Sequence, residues 1–297
     1  MSSSKRVYSS PGPFRLAVVG DLHTHWDQVD LQQFAGTDYH LLFFTGDLGG
    51  GTPESTLRVA RGIGQLDKPA LVMPGNNDTW DINELAAELA HQNGLNQLLS
   101  IASAREEQFS PVELCGYSVH YIEAGGYRVA LIAGRPHSMG GPELSFPDYM
   151  AETYAVESLE HSTERLVGLV EEADADQLIF LAHNGPLGLG EEPHDMWGCD
   201  FKEDGGDWGD PDLSAAIGHA RSTGRQVLAV IGGHMHLRTK HGTERPWLAE
   251  QDGTLYINAA RVPRIYSGSD DVYRHHVSVT ISDAGLAAEE IHLPQYG

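Results

Sequence analysis

Five short segments of this 297-residue chain close an apolar run with side chains able to bind divalent cations. They are Asp21 and His23 in GDLH, Asp47 in GDLG, Asn76 in GNND, His183 in AHNGP, and His234 with His236 in GHMH. Carboxylate, amide and imidazole donors in one set suit Mn²⁺, Fe or Zn²⁺ better than Ca²⁺, and the absence of cysteine from that set argues against a structural zinc. Taken singly each segment is ordinary, because Asp after Gly commonly closes a turn or caps a helix. Independent turns, however, have no reason to place such residues at five successive apolar exits. Together the donors are enough for two ions.

The elements that must position these side chains can be read from the same sequence. FRLAVVG (14–20), YHLLFFTG (39–46), PALVMPG (69–75), QLIFLAHNGP (177–186) and RQVLAVIGGHMH (225–236) read as buried strands. Helical patterns follow at 53–66, 81–95, 149–173 and 212–224, with Asp81 and Glu84 spaced as a capping box. Strands alternating with helices predict a parallel sheet. YSVHYIEAGGYRVALIAG (117–134) reads instead as a hairpin, and TLYINAA, YRHHVSVTI and GLAAEEIHL read as antiparallel strands, so the predicted class is α/β with mixed sheets. In open α/β sheets ligands collect beyond the carboxyl ends of the strands, which is where the five donor segments would converge.

Residues 1–13 read as a disordered start, and 14–297 as one domain with no internal boundary. The segment 187–212 is Gly-rich and acidic yet carries Trp197, Phe201 and Trp208. A loop of that length suggests a lid over the site, with indoles that either face the substrate or plug into the body of the protein.

A formal net charge of -23 repels polyanions and disfavours nucleic acid as a partner. A small phosphorylated substrate is still compatible, because bound cations reverse the local potential. The opening residues lack the apolar region of a secretory signal, and no segment approaches the roughly 18 apolar residues of a membrane span. Cys115 and Cys199 give no disulfide framework. A cytoplasmic protein is therefore expected.

The order Asp-x-His, Gly-Asp, Gly-Asn, His, Gly-His-x-His, running from Asp21 to His236, resembles the calcineurin-like metallophosphoesterase superfamily. The resemblance implies a four-layer α-β-β-α sandwich of two mixed sheets flanked by helices, with a dinuclear metal site at the sheet edge. It implies that Asp21, His23 and His236 hold one ion, that Asn76, His183 and His234 hold the other, and that Asp47 bridges them. The implied reaction is hydrolysis of a small phosphomonoester or phosphodiester by a hydroxide bridging two divalent ions, with Mn²⁺ the first to assay. Two other readings compete: a noncatalytic metal-binding scaffold of the same fold, and a nuclease, which the lack of a basic stripe disfavours.

One residue departs from the family. Most members read Gly-Asn-His-Asp or Gly-Asn-His-Glu, where the His assists the leaving oxygen and the acid orients it; here the His is replaced by Asn77, followed by Asp78. An amide can donate a hydrogen bond to a phosphoryl oxygen but cannot act as a general acid. Asp78 is then either the orienting carboxylate or the cap of the next helix. His25 in the first exit loop, and Arg135 with His137 in GRPHS, are candidates to supply what is missing, Arg135 by forking onto a phosphate. His194 of the acidic loop is a further candidate.

Overall fold

Strands buried on both faces carry apolar side chains at odd and even positions alike, and that pattern builds this molecule outward from its centre. The computed structural model describes residues 5–79, 81–90, 111–203 and 205–295. One seven-stranded sheet runs in the order β1 (Val7–Ser10), β6 (Ser118–Ala124), β7 (Tyr127–Ala133), β8 (Gln177–Leu181), β9 (Gln226–Gly232), β11 (Thr254–Asn258) and β10 (Leu248–Gln251). The other contains β12 (Ile265–Ser267), β13 (Val272–Ser282), β2 (Phe14–Val19), β3 (Leu41–Phe44), β4 (Ala70–Val72) and β5 (Val112–Leu114), with β14 (Gly285–Pro294) paired along β13. Both sheets are mixed: β2, β3, β4 and β5 are parallel, as are β7, β8 and β9, while β13 joins β2 and β6 joins β7 antiparallel.

Alternation along each strand sets the layers. Leu16, Val18, Leu41 and Phe43 meet Leu131, Ile179, Leu181 and Ile231 between the sheets. The intervening Ala17, Val19, Leu42 and Phe44 face outward against Phe34 of α1 (Gln28–Ala35), Val59 and Ile63 of α2 (Pro53–Ile63), and Leu85 and Leu89 of α3 (residues 82–90). On the opposite side α4 (Pro147–Tyr154), α5 (Leu159–Glu172) and α6 (Pro211–Ser222) cover the other sheet, where Leu166, Val170, Leu213 and Ile217 pack on Ile132, Phe180 and Val230. The result is the α-β-β-α sandwich.

Two expectations from the sequence are corrected. Within the stretch expected to be disordered, Val7–Ser10 form β1, which pairs in parallel with β6; Tyr8 is buried and its hydroxyl donates to Glu113 at 3.1 Å. A strand of this kind needs one buried ring rather than an apolar run, so its sequence reads as polar. The single helix expected over 149–173 is two, because Ala155 takes the left-handed conformation (φ 55°) after α4 and Ser158 caps α5 by accepting from the His161 N–H at 3.2 Å. Of the helix expected at 81–95, residues 82–90 are helical and 91–95 lie outside the described residues. Asp81 caps it, accepting from the Asn83 N–H at 2.8 Å. Both cysteines are buried free thiols, and no helix among the described residues is long and apolar enough to cross a membrane.

Candidate metal centre

Each donor stands just beyond the end of its strand. The parallel strands β2, β3, β4, β8 and β9 bring their carboxyl ends to one edge, and Asp21, Asp47, Asn76, His183 and His234 follow within a few residues. Glycines let the exits crowd together: a Cβ at Gly75 would lie 2.3 Å from Asp47 Oδ1, and one at Gly233 2.3 Å from Asp21 Oδ1. His23, Asp47 and His234 have positive φ of 40°, 49° and 68°. Such conformations in residues other than glycine cost roughly 1–3 kcal/mol each and persist where the surroundings hold them for a purpose.

The donors form two groups, Asp21 with His23 and His236, and Asp47 with His183 and His234, the ligating atoms within each lying inside 4.8 Å of one another. Asp47 links them. Its Oδ2 is 3.6 Å from His23 Nε2 and its Oδ1 is 3.6 Å from His183 Nε2. His23 Nε2 and His236 Nε2 stand 3.1 Å apart, and Asn76 Oδ1 lies 3.0 Å from His183 Nε2.

Proton positions follow from the partners. His183 Nδ1 lies 2.6 Å from the Thr45 carbonyl, which can only accept, so Nδ1 carries the proton. In the neutral ring the other nitrogen, Nε2, then presents a bare lone pair to Asn76 and Asp47. His234 Nε2 donates to the Met139 carbonyl at 3.1 Å, leaving its Nδ1 bare in the same way. An outer N–H bound to a carbonyl with the inner lone pair turned into a cluster of acceptors is the arrangement of a ligating histidine.

The electrostatics agree. Burial pulls the His183 pKa down, but Asp47 and Asp21 outweigh it and the net shift is upward, so the cluster attracts positive charge. Burial beside His183 lowers His234 to about 4, keeping that ring neutral. Asp21 is buried, accepts from Thr45 Oγ1 at 2.8 Å and the His234 N–H at 3.0 Å, and stays below the usual carboxylate range because the four surrounding histidines overcome its burial. The donor set, its tautomers and its attraction for positive charge therefore fit divalent cations.

The remaining sequence candidates occupy other positions. Asn77 donates both its backbone N–H and its side-chain amide to Asp47, at 2.8 and 2.6 Å, so it steadies that carboxylate. Asp78 is buried beneath it, accepting from the Gly75 N–H at 2.9 Å and the Leu48 N–H at 3.1 Å; burial and the charge of Asp47 push its carboxyl up to about 7. It ties the Asp47 and Asn76 loops together, neither capping α3 nor orienting a histidine. His137 is fully buried, with Nδ1 donating to the Gly75 carbonyl at 3.1 Å and Nε2 accepting from the Tyr154 hydroxyl at 3.0 Å. Burial lowers it to about 3, so the ring is neutral and its one N–H is committed to the Gly75 carbonyl.

Arg135, expected to fork onto a phosphate, instead forks onto protein carboxylates, with Nε 2.8 Å from Asp212 Oδ2 and Nη2 2.9 Å from Asp210 Oδ1. The start of α6 meets the exit of β7 there, and nothing local in the sequence announces that pairing. His25 Nδ1 lies 3.2 Å from the Leu22 carbonyl, and its ring does not line the cleft at the donors; His194 is exposed. Of the loop 187–212, Trp197 is buried with its indole N–H on the Gly233 carbonyl at 3.3 Å, and Trp208 donates to the Met139 carbonyl at 2.9 Å. Both indoles anchor the loop to the body, while Asp200 and Phe201 reach the cleft.

That cleft, about 240 Å³, is lined by His23, Asp47, Asn76, Asn77, His234 and His236 on its inner side. It is lined as well by Phe201 of the acidic loop and by residues the sequence reading passed over: Asp200, Arg238, Lys240 and Arg245. A signal was present, since 234, 236, 238 and 240 are alternate positions of one segment. Thr45 and Met139, which fix the two histidine tautomers through backbone carbonyls, could not have been found that way.

A two-sheet sandwich with Asp, His and Asn donors gathered at one edge defines the metallophosphoesterase class. The sequence pattern of the family described as "Calcineurin-like phosphoesterase" matches residues 14–238, and the chain belongs to that family. No curated protein matches by sequence. Among solved structures, one superposes with a TM-score of 0.56 at 12% identity, over 94% of this chain and 99% of its own. GAP50, the anchor in the inner membrane complex of Plasmodium, gives 0.52 at 13% identity, over 95% of this chain and 85% of its own. TT1561 of Thermus thermophilus gives 0.49 at 12% identity, over 93% and 98%. At these identities the likeness to the first two is one of fold.

Proposed function

We propose that this protein hydrolyses small phosphoesters with the help of two divalent cations, one held by Asp21, His23 and His236 and the other by Asn76, His183 and His234, with Asp47 shared. The observation that carries the proposal is the convergence of bare ring nitrogens, carboxylates and an amide oxygen, with the outer nitrogens of His183 and His234 committed to carbonyls. A scaffold that had lost its metals would have no need for that arrangement, and turnover separates an enzyme from a scaffold that binds them. Two divalent cations in such a site polarise a phosphoryl oxygen and lower the pKa of a water molecule; Mn²⁺ is the first to test.

The residues of the chain do the positioning. Asn77 and Asp78 fix the carboxylate of Asp47 and the loop carrying Asn76, and His137 braces the same loop through the Gly75 carbonyl. The Asn77 amide is engaged with Asp47, and neither His137 nor His25 offers a proton to a leaving oxygen in the cleft. Leaving groups must therefore depart largely unassisted. Loss of a general acid typically lowers the rate about 10²- to 10⁴-fold for a poor alkoxide, with little effect on nitrophenolate.

The test is hydrolysis of bis-p-nitrophenyl phosphate and p-nitrophenyl phosphate by protein stripped of metal and reloaded with Mn²⁺, beside Asp47→Asn, with bound metal counted by atomic emission. Turnover that needs metal and is lost in Asp47→Asn supports the proposal, and the diester-to-monoester ratio assigns the substrate class. Two bound ions with no turnover on either ester would favour the scaffold.

A further inference from the structure

The mouth of the cleft is cationic in a chain that has 42 acidic side chains against 19 lysines and arginines. Arg238, Lys240 and Arg245 all line it. Arg245 is occupied: it is buried, its Nη2 is 3.1 Å from Asp200 Oδ1, its Nε donates to the His236 carbonyl at 3.1 Å, and its Nη1 bonds the carbonyls of Pro193 and Asp195. It fastens the acidic loop to the strand exit. Asp200, the carboxylate at the mouth, is compensated by Arg245 and accepts the Lys240 N–H at 2.7 Å.

Arg238 and Lys240 are different. Both side chains are exposed, and among the described residues neither enters a salt bridge; the ammonium of Lys240 has only the ring of Phe201 beneath it, 5.5 Å away. Phe201 is itself 41% exposed and stands edge-on to Trp208 at 5.5 Å. Two uncommitted cations, on the segment that supplies His234 and His236, and an exposed aromatic face from the acidic loop thus border the donors.

We propose that Arg238 and Lys240 form a subsite for a second anionic group of the substrate, so that the preferred substrates are small phosphoesters carrying a further phosphate on a flat organic body that rests against Phe201. The inference rests on the hydrolytic reading of the inner cluster and adds to it which esters are selected. In a chain of net charge -23 a doubly phosphorylated molecule is repelled at long range, so local cations are what let it dock. A guanidinium and an ammonium both bind phosphate well, the first as a fork and the second as a point charge. A single-phosphate ester reaches the inner cluster alone and gains nothing from them.

The experiment compares two esters with the same leaving group: the 5′-p-nitrophenyl ester of thymidine 5′-phosphate, and its counterpart bearing an added 3′-phosphate. With Mn²⁺-loaded protein the 3′-phosphate should raise kcat/KM by tenfold or more, chiefly through KM, and the advantage should fall to twofold or less in Arg238→Gln/Lys240→Gln. A wild-type ratio near one, or a ratio unchanged in the double variant, overturns the proposal. Calorimetric titration of both proteins with thymidine 3′,5′-bisphosphate, carried out metal-free so that no hydrolysis occurs, reads the subsite without turnover. A Kd at least tenfold weaker in the double variant supports the subsite, and equal Kd values overturn it even if the hydrolytic reading fails.

Discussion

Two buried charged clusters lie beyond the strand ends, and they are built in opposite ways. Around Arg135 opposite charges touch: the guanidinium meets Asp210 and Asp212 at 2.9 and 2.8 Å, and the two carboxylates keep it protonated against the pull of burial. Around Asp47 no arginine or lysine among the described residues reaches the carboxylates, and acceptors face one another at 3.0 to 3.6 Å. Burying charge is tolerable when a partner compensates it and costly when none does. The first cluster is therefore charge-paired as the chain folds, with Arg135 Nη1 its one buried nitrogen left without a hydrogen bond, whereas the second would become favourable when a cation enters. One holds the fold together and the other is the site proposed to take up metal.

The sharpest way to break this contrast is to remove the central charge of each. Arg135→Leu strands Asp210 and Asp212, and removing one member of a buried ion pair costs about 3–5 kcal/mol, so its urea midpoint should fall steeply. Asp47→Asn removes a carboxylate that has no cation of its own. Its metal-free midpoint should match or exceed wild type, while hydrolysis drops at least as far as for the loss of one preorganised electrostatic group, about 10²- to 10³-fold. A metal-free Asp47→Asn protein as unstable as Arg135→Leu would refute the contrast.

Next in size is the response to metal. Loading with Mn²⁺ at a hundred times its Kd should stabilise the wild-type protein by about 2.7 kcal/mol, read as a rise in Tm. The gain should shrink in His183→Ala and persist in a variant of the exposed His194. Asn77→Ala removes a hydrogen bond to Asp47 without replacing a proposed ligand, and such supporting contacts are worth about 10- to 100-fold in metal affinity. Competition with a chelating dye would read that change.

A last expected effect lies outside both clusters. Burial lowers His120 to about 4 and His276 to about 3, from an ordinary value of 6.5. Unfolded chains take up these protons first, so stability should decline as pH falls through 6.5 and level off once the folded-state values are passed. His120→Gln should flatten part of that decline in wild type and in Asp47→Asn alike, whereas a decline that disappears in Asp47→Asn would assign it to the metal cluster.

Legibility in the sequence varied with how local the cause was. The central strands were readable because burial on both faces turns them into apolar runs, as in Leu41–Phe44 and Gln177–Leu181. β1 was not, since Tyr8 is its one buried residue. The break between α4 and α5 was hidden because an alanine, rather than a glycine, takes the left-handed position at 155. The donors stood out because each lies close to a strand exit, beside a glycine in four of the five segments. The role expected of Arg135 was misread, since its partners lie 75 and 77 residues away.

By itself the sequence determined the alternation of strands and helices, the donor types and their order, and the substitution of Asn77 for the family's histidine. Those are properties of single residues and near neighbours, which periodicity and composition record. Tertiary structure alone decided that Asn77 supports Asp47, that the Thr45 and Met139 carbonyls select the histidine tautomers, that Arg135 is locked in an ion pair, and that Arg238 and Lys240 border the cleft. Each depends on which backbone or side chain arrives from a distant segment, and the sequence order does not encode that distance directly.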